Sequence, residues 1–387
     1  MSAIDPAAVD RVRHHLVTVG KTPTVTDVAR ALRDDGVLLD ATALLEEAGK
    51  LFAELAGAGP LTSLLTDPLI TDVLVSSPEH VWIDRGNGIE RTDVTFPDDA
   101  AVRRLAQRLA SACGRRLDDA TPFVDARLSD GTRFHAILSP IALSGTCISL
   151  RVPRRHDFDV AALVAAKSVP QRIVPWIQAI VDARLSVLLT GGTGCGKTTW
   201  LSVLLDLVDA DERIVLVEDS AELHPAHAHV VRLEARPPNI EGSGAISLRD
   251  LVRQALRMRP DRLVVGEVRG AEVVDLLAAM NTGHEGGFAT IHANSAADVP
   301  ARLEALGQAA GLDRAAVHSQ LIAGVDVVIH LRRDRDGVRR WSSISVASRT
   351  DTGCEIRDAL LMHNGRLCRG PGLAQLQQRL GDYAPDL

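Results

Sequence analysis

Lysine is scarce in this chain. Of 43 basic residues only four are Lys (Lys21, Lys50, Lys167 and Lys197) and the other 39 are Arg; Asp and Glu number 50, so the formal charge is −7. That balance argues against a surface built to neutralise nucleic-acid phosphates. Aromatic residues make up only 3%, too few for a groove of stacked bases, and the core is left to Leu, Val, Ile and Ala. The five cysteines (Cys113, Cys147, Cys195, Cys354 and Cys368) are odd in number and contain no CxxC pair. That argues against a disulfide framework and fits a reducing compartment. Long apolar runs are missing as well. The stretch from Phe134 to Leu150 lacks charges but contains His135, Pro140 and Gly145 and is 17 residues long, so it reads as buried strands and not as a membrane span. Met1 to Asp10 carries acids where a signal peptide needs an apolar run. The expectation is a cytoplasmic protein that meets a membrane peripherally, through partners.

The 387 residues, 46% of them hydrophobic, suffice for two to three domains with a sizeable core. Helical spacing of apolar residues marks 1–56 as a helical extension. Residues 57–150 alternate short strands with one amphipathic helix, Asp99 to Cys113, and read as a compact α+β domain. Residues 151–172 form a charged, Pro-bounded linker. From 173 to 387 short apolar runs alternate with helical patterns, the signature of an α/β fold with a parallel sheet. The clearest strands are Ser186 to Thr190, Ile214 to Val217 and Leu263 to Val265. Val327 to Leu331 and Arg339 to Val346 flank a turn at Asp334-Arg-Asp-Gly337 and predict a hairpin. Gly381 to Leu387 read as a frayed end.

Gly191-Gly-Thr-Gly-Cys-Gly-Lys-Thr198 matches G-x-x-x-x-G-K-[ST] between an apolar strand and a helical segment, the context that a phosphate-binding loop requires. Gly191, Gly192, Gly194 and Gly196 let backbone N–H groups curl around phosphates at a helix N-terminus. Thr193, Cys195 and Thr199 complete the nucleotide-binding segment. Lys197 is expected on the β and γ phosphates of ATP and the Thr198 hydroxyl on Mg²⁺. Cys195 stands where Ser is usual and reads as a small side chain packed under the loop.

Two further apolar runs end in acids: Ile214-Val-Leu-Val-Glu-Asp219 and Leu263-Val-Val-Gly-Glu267. Carboxylates at strand ends beside such a loop can activate the attacking water or hold Mg²⁺ through water. Glu267 is the first candidate for the water activator and Glu218 the second, with Asp219 a candidate for the metal. His284 and His292 flank a Gly-rich turn and a short strand and are candidate sensors of the γ-phosphate. His224, His227 and His229 have only loosely metal-like spacing and read as a solvated loop.

These motifs together resemble the type II/type IV secretion ATPases and, within them, the tight-adherence pilus branch known as TadA or CpaF. Gly191 to Thr199 looks like the family's Walker A motif, and Glu218-Asp-Ser-Ala-Glu-Leu223 with Leu248-Arg-Asp-Leu-Val-Arg-Gln-Ala-Leu-Arg257 like its Asp box. Met258-Arg-Pro-Asp-Arg-Leu-Val-Val-Gly-Glu-Val-Arg-Gly270 is similar to the Walker B motif, and Thr282 to Ser295 to the His box. Gly57-Ala-Gly-Pro-Leu-Thr-Ser-Leu-Leu, Val124-Asp-Ala-Arg-Leu and Asp130-Gly-Thr-Arg-Phe-His-Ala are similar to the TadA branch. The likeness runs from about 57 to 348. It departs at Cys195 and at Gly287-Phe-Ala, where Ser-Leu-Thr is common. The resemblance implies a RecA-like P-loop NTPase motor under a small PAS-like α+β domain, a ring homo-hexamer, and ATP between the two domains of one subunit. It implies that Arg133 and Arg151 reach the phosphates, and that partners are inner-membrane platform proteins of a pilus or secretion system. A DNA translocase or conjugation-associated motor is the alternative.

Overall fold

The computed structural model describes residues 25–36, 40–55, 57–86, 88–153, 158–239, 242–283, 285–334, 336–351 and 353–386. The chain divides into two compact units, Met1–Arg154 and Arg155–Leu387.

In the first unit, helix α1 (Val25–Asp34) buries Val28, Ala29, Ala31 and Leu32, the apolar stripe of its 3.6-residue period. Helix α2 (Ala41–Leu55) starts where the Asp40 carboxylate accepts from the backbone N–H of Thr42 and Ala43, at 3.0 and 2.9 Å. Such a side chain satisfies donors that a helix start leaves unpaired. The expected helices before Val25 lie outside the described residues. A short helix α3 (Thr62–Leu65) precedes β1 (Asp72–Ser77), β2 (His80–Asp84) and β3 (Ile89–Arg91). Then come α4 (Asp99–Ala112), β4 (Phe123–Arg127), β5 (Arg133–Ile137) and β6 (Cys147–Arg151). The strands form one antiparallel sheet in the order β3-β2-β1-β6-β5-β4. Val73, Val75, Phe134, Ala136, Ile148 and Leu150 alternate onto one face, and Val102, Leu105, Ala106 and Leu109 of α4 join the same core.

The second unit opens with α5 (Val160–Ala165) and α6 (Val174–Asp182), followed by β7 (Val187–Thr190) and α7 (Lys197–Asp206). Next are β8 (Ile214–Glu218), β9 (Val230–Glu234), α8 (Leu248–Ala255), β10 (Arg262–Val268), α9 (Glu272–Asn281) and β11 (Phe288–Ile291). Helices α10 (Val299–Ala309) and α11 (Arg314–Gly324) lead to β12 (Val327–Arg333), β13 (Arg339–Thr350), β14 (Gly353–His363), β15 (Arg366–Arg369) and α12 (Leu373–Leu380). The sheet order is β15-β14-β13-β12-β7-β11-β10-β8-β9. Strands β12 to β9 in that order are parallel, and β13, β14 and β15 continue antiparallel from β12. Apolar cores cover both faces: Trp176, Trp200, Leu204 and Ile329 belong to one, and Val252, Leu276, Leu303 and Leu321 to the other. This is why Val187, Leu188, Leu189 and Thr190 are all buried and read as one apolar run rather than as an alternation.

Two expectations are corrected, and one stretch that carried none is defined. The segment read as linker contains α5, capped by Asp159 on the Ala162 N–H at 2.7 Å, with Leu163 in the core of the second unit. Residues 154–157 lie outside the described ones. The chain after the predicted hairpin forms β14, β15 and α12, which the charges of Glu355, Arg357 and Asp358 hid from an apolar-run reading. Gly381–Tyr383 form a 3₁₀ turn and Ala384 packs against the core, so that end is not wholly frayed.

Candidate functional site

The parallel strands β7, β8, β10 and β11 deliver their C-terminal ends to one edge of the sheet, and the candidates of the second unit collect there. The loop from Gly191 to Gly196 leaves β7 and enters α7, whose N-cap is Gly196 in the left-handed region with φ +96°. A Cβ at Gly191 would collide with the Leu331 carbonyl oxygen and the Cys195 sulfur, so only glycine lets the loop pass this close to β12. Burial pushes the Cys195 thiol up, so this cysteine is a packing residue and a poor nucleophile. Gly192, Thr193 and Gly194 are exposed, whereas Thr198 and Thr199 are half-buried in the first turn of α7. Lys197 Nζ donates to the carbonyls of Gly191 and Gly192 at 2.9 and 3.0 Å.

His292 follows the end of β11. Its ring nitrogens lie 3.4 and 3.5 Å from Lys197 Nζ, and Nε2 lies 2.9 Å from Glu267 Oε1. Burial and then the Lys197 charge hold the His292 ring below the ordinary histidine range, against the pull of Glu267. A neutral ring at pH 7 donates from Nε2 to Glu267. Burial also lowers Lys197, with the Cys195 and Glu267 charges opposing. Lys197, His292 and Glu267 therefore form one connected chain of side chains, drawn from α7, the loop after β11, and β10.

The register explains how Glu267 reaches it. Strand β10 pairs with β8 only as far as Val265, and its pairing with β11 shifts between Val265 and Val268. Gly266 and Glu267 lie in that irregularity, held by the Thr290 hydroxyl on the Gly266 carbonyl at 2.6 Å. After it, the Glu272 carboxylate accepts from the backbone N–H of Arg269 and Gly270, both at 2.7 Å, and closes the turn into α9. Glu272 was not among the sequence candidates; its one signal is an acid in the first turn of a helix.

Glu218, the second candidate for activating water, has a different setting. It is 5% exposed. Its Oε1 accepts from the backbone N–H of Glu222 and Leu223 at 3.0 and 3.1 Å, and it packs where a Cβ on Gly266 would lie 2.8 Å from its Cγ. Burial pushes its carboxyl up to about 7. Such a group shapes the loop after β8; it has little contact with water. Asp219 is half-exposed and ion-paired with Arg269.

His284 lies outside the described residues. Its neighbours Gly283 and Gly286 precede the N-terminal end of β11, whereas His292 follows the C-terminal end. β11 runs parallel to β7 with Ile291 beside Thr190, so the phosphate loop and His292 share one edge. Of the two sensor candidates His292 stands at that edge, and the expectation for His284 falls outside the described residues. His224 contacts Arg232, His227 the Asp209 carbonyl and His229 Arg213, and the His229 backbone N–H donates to His227 Nδ1 at 3.1 Å.

In the first unit, Arg133 and Arg151 are direct cross-strand partners on β5 and β6. Arg127 of β4 faces Arg133, and Asp72 of β1 faces Arg151. Because Val73, Phe134 and Leu150 point into the core, these charged residues all lie on the opposite face, where alternation places them.

The residues present fit a magnesium nucleotide. The glycine loop and the α7 N-terminus form an anion cradle, and Thr198, Asp219 and Glu267 offer the oxygen ligands that Mg²⁺ prefers. Among the described residues no group of three or more His, Cys, Asp or Glu could hold a metal by itself.

Comparison with known proteins gives the family. The family described as type II/IV secretion system protein matches residues 54–366. The chain belongs to that family. A putative conjugal transfer protein of Mycobacterium tuberculosis is 56% identical to it over 315 residues, 80% of this chain and 90% of that protein. The conjugal transfer protein TrbB of Rhizobium radiobacter is 30% identical over 280 residues, 71% of this chain and 83% of its own. Among solved structures, the ATPase DotB of Yersinia pseudotuberculosis aligns with a TM-score of 0.54 at 17% identity, over 76% of this chain and 79% of that one. That likeness shows the fold: a RecA-like α/β domain preceded by a small α+β domain. Among the described residues, no helix of this family member is long and apolar enough to cross a membrane.

Proposed function

We propose that this chain hydrolyses ATP with Mg²⁺ and works as a homo-hexameric motor of a type II/IV secretion machine, docked on inner-membrane platform proteins at the cytoplasmic face. The observation that carries the reading is the chain Lys197–His292–Glu267 beside a complete phosphate loop. In this reading Lys197 exchanges the Gly191 and Gly192 carbonyls for phosphate oxygens, at no loss of hydrogen bonds. Glu267 accepts the proton of the attacking water, and His292 holds its carboxylate in place. Thr198 and Asp219 would hold Mg²⁺, Asp219 giving up Arg269; the ion would neutralise charge developing on the phosphates. Glu218 shapes the neighbouring loop. Arg133 and Arg151 supply positive charge to the transferring phosphoryl group.

Lys197→Ala tests this directly. Turnover should fall by ~10²-fold or more while thermal unfolding stays near the parent's, since a single preorganised charge on a developing anion is worth that much. A variant that hydrolyses ATP at the parental rate would overturn the assignment of the loop.

The finer reading is open between two machines. The motifs of the first unit favour the tight-adherence pilus branch (TadA/CpaF). The names of the two relatives favour a conjugation-associated machine. The net charge of −7 and the scarcity of aromatics support a motor that acts on protein. Turnover measured with and without DNA separates the two: no stimulation, and no steep salt dependence of DNA binding, is expected of the pilus or secretion motor.

A further inference from the structure

The turn between β12 and β13 lies beside the phosphate loop. Arg333, the last residue of β12, and Arg339, the first of β13, are direct cross-strand partners. A Cβ at Gly194 would lie 3.9 Å from Arg333 Nη1, and one at Gly196 would lie 3.3 Å from Arg339 Cδ and 4.0 Å from its Cβ. Arg333 Nε donates to the Gly337 carbonyl at 3.3 Å, which steadies the side chain against its own turn. The neighbouring pair, Arg332 and Arg340, lies on the other face by alternation. It takes acids of the turn: Arg332 pairs with Asp334 at 2.8 Å, and Arg340 with Asp336 at 2.8 Å and with Asp334. Arg333 and Arg339 are both exposed. Like charges directly opposite each other destabilise a strand pair, and an anion shared between them offsets that repulsion.

We propose that Arg333 and Arg339 together bind the α-phosphate of the nucleotide, on the side of the loop away from the reacting group. This rests on the ATPase reading above. Strand β7 lies between β12 and β11 in the sheet. Glu267 and His292 stand on the β11 side, where the γ-phosphate belongs in that reading. The turn carrying the two arginines stands on the β12 side. A triphosphate laid along the loop with its γ end at Glu267 therefore directs its ribose end towards the turn. Guanidinium groups make short, charge-assisted bonds to phosphate oxygens. The α-phosphate is present in ATP and in ADP and is not transferred. The pair thus contributes alike to binding of substrate, transition state and product, which sets affinity and leaves the chemical step alone. That separates these two arginines from Lys197 and Glu267, and from Arg133 and Arg151. In the sequence they are two arginines at the ends of a predicted hairpin; the pairing of β12 with β7 is what carries that turn to the loop.

The experiment uses the full chain with Arg333→Gln, Arg339→Gln, the double variant, and Arg332→Gln as a control. MgADP binding is measured by titration calorimetry, and steady-state turnover with MgATP. Each single variant should weaken MgADP binding about 10-fold, as loss of a hydrogen bond between charged groups does. In both, kcat/KM for ATP should fall by about the same factor while kcat at saturation stays within about twofold. The double variant should bind MgADP weakest, and its affinity should depend less on salt than the parent's. Arg332→Gln removes a charge from the same turn on the opposite face and should bind MgADP like the parent. Parental MgADP affinity in both single variants, an equal loss in Arg332→Gln, or a lowered kcat with affinity kept would overturn the proposal. Failure of the ATPase reading looks different. A parent that binds MgADP without hydrolysing ATP would sink the motor, and the titrations would still decide the arginine pair. A parent that binds neither nucleotide would overturn both.

Discussion

In the antiparallel sheet of the first unit the candidates Arg133 and Arg151 lie side by side on neighbouring strands, next to Arg127; in the larger sheet of the second the candidates sit where parallel strands stop. Arg127, Arg133 and Arg151 come from three strands and share a face because cross-strand partners do. Lys197, Glu267 and His292 share an edge because β7, β10 and β11 run the same way. Parallel strands end at one edge, so residues that follow unrelated apolar runs become neighbours without any pairwise code. Antiparallel strands alternate direction, and residues meet only through register. The first arrangement is readable as motifs; the second needs the pairing.

The largest effect is expected in the second unit, at Glu267. Glu267→Gln should still bind ATP but turn over ~10²–10⁴-fold more slowly, the usual worth of a positioned general base. Normal turnover at saturation with weakened binding would make Glu267 an affinity residue instead. Next comes the arginine row. Arg133→Ala and Arg151→Ala should each cost on the order of 10²-fold in turnover, because cations on a transferring phosphoryl group act in the transition state. If both variants keep parental rates, the row is only a solvated face, where ion pairs are worth about 0–1 kcal/mol.

A third effect separates the two carboxylates of the second unit. The Glu218 carboxyl is raised from 4.5 to about 7, so between those values the folded state holds a proton that the unfolded chain has released. Stability from this group is therefore present below pH 4.5 and is lost as pH rises through 7, by at most on the order of 3 kcal/mol. Glu218→Gln should flatten that fall relative to the parent in denaturant titrations at pH 5 and 8; identical slopes would show that Glu218 is better solvated than its burial implies. The smallest effect returns to the first unit. Asp98 caps α4 through the Ala101 N–H at 2.7 Å, and Asp98→Ala should cost about 1 kcal/mol of stability with turnover unchanged. A change in kcat would tie α4 to the chemistry.

Legibility follows the same division. The strands ending at Thr190, Glu218 and Val268 were visible because burial on both faces makes them apolar runs, and the phosphate loop was visible because its chemistry fixes residue types at fixed spacing. Helix α4 was visible through its amphipathic period and the strands around it as short apolar runs; the capping Asp98 came from the structure. Helix α5 was missed: its one fully buried anchor is Leu163, set among short apolar residues beside charges. Strand β14 was missed because Glu355, Arg357 and Asp358 break its pattern.

Sequence alone determined that an anion cradle follows β7, that acids end β8 and β10, and that a histidine follows β11, since these depend on local backbone and residue chemistry. Only the tertiary structure decided how the candidates are employed. A register shift after Val265 brings Glu267 to His292, burial against Gly266 turns Glu218 inward, the direction of β11 puts Gly283 and His292 at opposite ends, and the pairing of β12 with β7 sets Arg333 and Arg339 beside the phosphate loop. Each outcome depends on which strands become neighbours and in which register, and both are settled by packing between segments far apart in the chain.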